Sequence, residues 1–95
     1  MAYRVLSQDE QDEIIVAFMQ AQERDLYCHQ LNLARYNQML SKLPDGEWKS
    51  QIIKLRDETA KRLDEVQSII AATESQLPPA ERIDAAKTRL ASKQR

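Results

Sequence analysis

The nine residues "LSKLPDGEW", Leu40 to Trp48, decide the fold of this chain. They hold its single glycine and one of its three prolines, and they interrupt two long stretches that contain neither. Proline removes a backbone donor and glycine admits conformations closed to other residues, so Pro44-Asp45-Gly46 reads as a turn. A break this short cannot separate two long helices. The segments on either side are therefore expected to lie antiparallel as an αα-hairpin.

Upstream of the break, Ser7 and Glu10 form the S-x-x-E pattern of a capping box. Asp9, Glu10, Asp12 and Glu13 place negative charge where the first turn's free amides face outward. From there apolar and bulky residues recur at Ile15, Met19, Gln22, Leu26, His29, Leu33, Tyr36, Leu40 and Leu43, with spacings alternating four and three. This heptad rhythm predicts a helix over 8–42, roughly 35 residues and about 52 Å long, the length of a coiled-coil arm. Downstream, Ile52, Thr59, Leu63, Val66, Ile70, Thr73 and Leu77 form the matching seam of a helix over 47–77, with Asp45 as its candidate cap. Trp48, Leu55 and Ile69 are expected to widen that stripe. Gln22, His29 and Thr59 within the seams would penalise register slips.

Leu77-Pro78-Pro79 ends the second helix, and Pro79 can open a third over 80–92 with a thin stripe at Ile83, Ala86 and Leu90. The expected fold is one all-α domain, 1–95: a long antiparallel, coiled-coil-like hairpin with turn 43–46 and a short C-terminal helix. A hairpin hides one seam per helix and leaves its flanks open. Ile14, Phe18, Tyr27, Leu31, Ala34, Ile53 and Ile69 border the seams, and burying a large aliphatic side chain stabilises by roughly 1.5–3 kcal/mol. The third helix, the N-terminal arm or a second copy must cover them. A homodimer closing into a helical bundle is the expected solution.

Charge and composition narrow the function. The net charge is −1, with −2 on residues 1–43, −2 on 44–77 and +3 on 78–95. That balance lacks the broad positive footprint of a nucleic-acid binder. Arg82, Lys87, Arg89 and Lys93 are the candidate nucleic-acid contacts, against their simpler role of solubilising an exposed end. The start lacks an apolar leader and no run is long enough to span a bilayer, so a cytoplasmic protein without a membrane role is expected. The lone Cys28 forms no disulfide framework.

The stretch "ERDLYCHQLNLARYNQM", Glu23 to Met39, holds the only histidine beside the only cysteine. Asp25, His29, Asn32 and Tyr36 share one helix face, with Arg24 and Arg35 to the sides, a candidate site for a small polar or anionic ligand. The structural alternative makes His29 a seam residue hydrogen-bonded to Asp25, with Tyr36 covering the seam. Adjacent side chains project about 100° apart, so Cys28 and His29 cannot share a metal ion, and Glu-x-x-His is absent. Cys28 has no base to activate it. Neither metal, cofactor nor catalytic residue is expected.

Two resemblances bear on the alternatives. One very long helix followed by two others, in a dimer of this size, resembles the small all-helical chorismate mutases. That likeness implies a dicarboxylate held between helices by arginines, here Arg24, Arg35, Arg56 and Arg62. The chain has "DEIIVAFMQAQERD" where that family carries isoleucine–aspartate repeats leading to an arginine. The opening "YRVLSQDE", Tyr3 to Glu10, resembles small helical phage proteins that sequester cyclic nucleotides. It implies that Tyr3 and basic side chains from neighbouring subunits clasp the ligand. The second helix, "WKSQIIKLRDETAKRLDEVQ", lacks the arginine–threonine pattern this would require.

The leading expectation is a non-catalytic interaction and regulatory protein that binds a macromolecular partner through Phe18, Tyr27, Leu31 and Trp48. Modulators of host proteins encoded by phages or mobile elements have this character. Sequestration of an anionic metabolite or cyclic nucleotide is the alternative, followed by a chorismate-mutase-like enzyme or a DNA-binding protein.

Overall fold

A computed structural model describes residues 4–93. Those residues form three helices, α1 Gln8–Leu40, α2 Glu47–Glu74 and α3 Ala80–Lys93. At 1.5 Å per residue the 33 residues of α1 run about 50 Å, which sets the long axis of a molecule measuring 57 × 31 × 26 Å. Its radius of gyration is 18.8 Å, against about 12 Å for a compact domain of this length. The molecule is a rod.

Both ends of α1 follow from local chemistry. Ser7 Oγ accepts from the Glu10 amide at 3.1 Å, and the Ser7 amide donates to Glu10 Oε1 at 3.1 Å, closing the capping box. Arg4 reaches the other Glu10 oxygen at 2.7 Å. Hydrogen bonding from the Ser7 backbone, then from Arg4, holds the Glu10 carboxyl below its ordinary pKa. At the far end the helix stops at Leu40, two residues before the end expected from the pattern. Ser41 Oγ donates back to the Gln38 carbonyl at 2.7 Å and the Lys42 amide turns to Met39 O, tightening the last turn. The second helix ends early for the same reason. Ser75 Oγ donates to Ala72 O at 2.7 Å and the Gln76 amide to Thr73 O, so α2 closes at Glu74 rather than 77. The third helix runs one residue past its expected end.

The start of α2 corrects the expected cap. Asp45 makes no cap; it accepts from Lys49 Nζ at 3.2 Å, and Gly46 occupies the cap position with no side-chain hydrogen bond. Gly46 adopts φ 154° and ψ −175°, a region essentially restricted to glycine. A Cβ there would meet nothing within 4 Å, so the penalty is one of backbone conformation alone. Gly46→Ala is expected to cost about 1–3 kcal/mol of stability in urea titration with helix content preserved. Ordinary surface-sized loss would show that the turn relaxes at no cost.

The hairpin is the packing of α1 against α2. Every residue of the α1 seam from Ile15 to Leu43 is buried or half-buried, as is every residue of the α2 seam from Ile52 to Leu77. Most are only half-buried, because two helices in contact cover each other's stripe from one side. Full burial of apolar chains is confined to Val16, Met19, Ile52, Val66 and Ala86. Trp48, Leu55 and Ile69 do not widen the α2 stripe; they remain exposed.

The third helix folds back on α1, not on α2. Pro79 O accepts from the Arg82 and Ile83 amides at 2.9 and 3.1 Å and so starts α3. Ala86 is fully buried where α3 crosses α1, a small side chain that lets the two backbones approach. Ile83 and Leu90 flank it, half-buried. This cover falls on Val16 and leaves Ile14 and Phe18 exposed.

Candidate functional site

Among the polar residues of α1, Asp25, Asn32, Arg24 and Arg35 are exposed, while His29 and Tyr36 are half-buried in the hairpin seam. No hydrogen bond joins His29 to Asp25 among the described residues, so the seam, not that pair, fixes the imidazole. Arg24 and Arg35 project about 80–120° around the helix from the Asp25–Tyr36 face, toward the opposite flank. The nearest depression is shallow and is lined by Gln20, Glu23, Arg24, Tyr27 and Cys28, all from α1. Arg56 pairs with its neighbour Asp57 at 3.1 Å. Tyr3 lies outside the described residues. No group of three or more His, Cys, Asp or Glu side chains among the described residues is arranged to hold a metal ion.

Four exposed side chains were the candidate partner surface. Phe18, Tyr27, Leu31 and Trp48 are all open to solvent. Phe18 and Tyr27 do not share a flank, however. Nine residues at 100° each carry the second half a turn from the first, so they face opposite sides of α1. Tyr27 and Leu31, four apart, do share one. Trp48 stands at the hairpin tip in the first turn of α2.

The most ordered polar constellation lies where α3 crosses α1. Asp12 and Glu13 are buried acids, at 4% and 7% exposure, a placement that demands paired cations. Arg82 supplies a two-pronged bond to Asp12, Nε to Oδ2 at 2.8 Å and Nη2 to Oδ1 at 2.7 Å, and Gln8 Nε2 adds a third at 3.0 Å. Glu13 Oε1 receives Lys93 Nζ at 2.8 Å and Arg89 Nε at 3.2 Å, while Arg89 Nη2 also reaches Asp9 O at 3.3 Å. Three of the four candidate nucleic-acid contacts are thus committed to carboxylates within the chain. Lys87 stands instead beside the crevice between α1 and α3. The basic segment serves as the clasp of α3 rather than as a solubilising tail.

The clasp titrates. Arg82 hydrogen bonding outweighs burial and holds the Asp12 carboxyl below its ordinary 3.8; Lys93 does the same for Glu13 below 4.5. The Asp12 carboxylate in turn raises the Arg82 guanidinium, which stays charged throughout. Because both acids have depressed values in the folded state, their contribution is complete above about pH 5 and is lost as pH falls through 4 and below. Amide exchange across 80–93 is expected to accelerate in that acid range before exchange in the hairpin seam does. Uniform acceleration of all three helices would refute an acid-sensitive clasp.

Sequence reasoning assigned Asp12 and Glu13 only to the helix dipole and so missed this constellation. The readable signal was the opposition of an acidic first turn to a C-terminal segment of charge +3. No helix among the described residues is long and apolar enough to cross a membrane. No family model, curated protein or solved structure matches this chain.

Proposed function

We propose that this chain is a non-catalytic helical interaction protein that self-associates and holds a protein partner through its exposed aromatic and aliphatic side chains. The observation that carries this reading is the amount of surface left open. The chain exposes 7336 Å², whereas a compact monomer of 11.0 kDa exposes about 5,600 Å². That excess includes Ile14, Phe18, Tyr27, Leu31, Trp48, Leu55 and Ile69, each large, apolar and at least 40% exposed. The surplus is roughly 1,700 Å², and one side of a standard protein–protein interface needs about 800 Å².

Trp48 is the assigned anchor for the partner, since exposed tryptophans at a rigid tip are frequent sources of binding energy. Its test is affinity capture from the native host, followed by binding of the purified partner to wild type and Trp48→Ala. Weakening of at least about tenfold, with unchanged helix content, supports the assignment. Equal binding by the variant removes Trp48, and a thermal shift with cyclic nucleotides or anionic metabolites in place of a protein partner favours the small-ligand reading.

A further inference from the structure

The face of α1 opposite the hairpin carries a second heptad. Gln20, Arg24, Tyr27, Leu31, Ala34 and Gln38 are spaced four, three, four, three, four, and lie about 150° around the helix from the seam that meets α2. Continued toward the N-terminus, this stripe passes through Val16 and Glu13, which α3 covers; from Arg24 onward it is bare, with Tyr27 at 62% and Leu31 at 53% exposure. Gln20 and Glu23 line both the crevice beneath α3 and the depression beside Tyr27. The third helix therefore ends as a shoulder against the open half of the stripe.

We propose that a second copy of this chain docks here, its α1 antiparallel to the first, on a two-fold axis level with His29. The proposal rests on the self-association proposed above and supplies its face and register. The level of the axis follows from laying the two large apolar residues of the bare stripe, Tyr27 and Leu31, across from each other, since position 29 is midway between them. In that register Tyr27 lies against Leu31 of the second copy and Arg24 against Ala34 of the second copy, each pair occurring twice by symmetry. The two largest apolar side chains of the bare stripe cover each other. A parallel arrangement would bring both copies of α3 to the same end of the same stripe. In the antiparallel one, position 18 faces position 40, so each α1 ends beside the other copy's shoulder.

Cys28 is the only cysteine and is exposed, one residue from the proposed axis, so a spin label there reads the register directly. The axial offset between the two copies of Cys28 is about 3 Å, and helices pack about 8–10 Å apart. Labels on Cys28 should therefore lie within about 20 Å of each other. Moved to Ser41→Cys in a Cys28→Ser background, twelve positions from the axis, they should separate to roughly 36 Å or more. Short distances at both positions mean a parallel pair and overturn the register, as do long distances at both. Sedimentation supplies the second arm. Wild type should approach twice the 11.0 kDa chain mass, and the double variant Tyr27→Asp, Leu31→Asp should associate at least about tenfold more weakly with its helix content intact. A double variant that still dimerises overturns this face while leaving self-association standing. Wild type that remains a monomer at high concentration overturns both.

Discussion

Ile52→Ala is expected to lower the unfolding free energy by about 2–5 kcal/mol, the range for truncating a buried aliphatic side chain. Ile52 is 4% exposed in the second turn of α2, close to the Gly46 cap. The α1 seam residues nearest the turn, Tyr36, Leu40 and Leu43, are only half-buried, so little else at this end is fully withdrawn from water. Removing three carbons from Ile52 leaves a space that half-buried neighbours can fill only by drawing water in behind them. Domains of this size hold about 5–15 kcal/mol in total, so the loss is a large share of the whole. Ile52→Val should cost about 0.5–1.5 kcal/mol, and Ile14→Ala, on a chain more than half exposed, within about 0.5 kcal/mol. Urea unfolding followed by far-UV circular dichroism, at one fixed protein concentration, measures all three. Equal losses for Ile52→Ala and Ile14→Ala would place the stability of the hairpin somewhere other than its turn-proximal core.

The hairpin was legible because its signals agreed at every level. Thirty-odd residues without glycine or proline, a capping box at Ser7 and an alternating three–four seam all call for the same helix, and the structure covers every one of those seam positions at least in part. The helix ends were not legible to the residue. Ser41 and Ser75 look like tolerable helix residues, yet each hydroxyl bonds back to a carbonyl three positions earlier, where the chain leaves the helix. Nor did the pattern reveal that Gly46, not Asp45, caps α2, because the choice depends on a backbone torsion that residue type only permits.

The polar constellation was half legible. Arg82, Arg89 and Lys93 fall on one face of α3 with Ala86 between them, a stripe of cations around one small residue, and their total charge opposes that of the first turn of α1. Knowing that they meet requires knowing which side of which helix α3 returns to. Two prolines set the stop but not the direction. The candidate partner residues were legible as exposed side chains but not as one face. Grouping Phe18 with Tyr27 treats nearness in sequence as nearness in space, although nine residues turn a helix by half a revolution beyond two full ones. The angle could have been read from the numbering alone. It divides the exposed large apolar residues of α1 into two faces, Ile14 with Phe18 and Tyr27 with Leu31, and the second of these lies opposite the hairpin seam.

Asp12→Lys is expected to detach α3 while leaving the hairpin folded. Only one apolar side chain of α3, Ala86, is fully buried, and Ile83 and Leu90 keep partial exposure, so charge pairing decides whether the helix docks. Asp12 accepts both prongs of Arg82 together with Gln8. A lysine at that position would face Arg82 with Arg89 nearby, turning attraction into repulsion where residue 12 itself is withdrawn from water. Undocked, a 14-residue helix is marginal in water, so amides 80–93 should exchange near the rate of an unstructured chain while those of the α1–α2 seam keep their protection. Asp64→Lys makes the same change in net charge on an exposed position of α2 and should leave α3 protected. Adding Arg82→Asp to Asp12→Lys exchanges the signs across the pair and should recover part of the protection, though lysine cannot reproduce the fork of a guanidinium. Equal exchange in Asp12→Lys and Asp64→Lys would mean that Ala86 and its half-buried neighbours hold α3 without the clasp. Loss of hairpin protection in Asp12→Lys would mean instead that α3 supports the rod it lies on. The first outcome would leave apolar cover of Val16 as the reason α3 returns to α1.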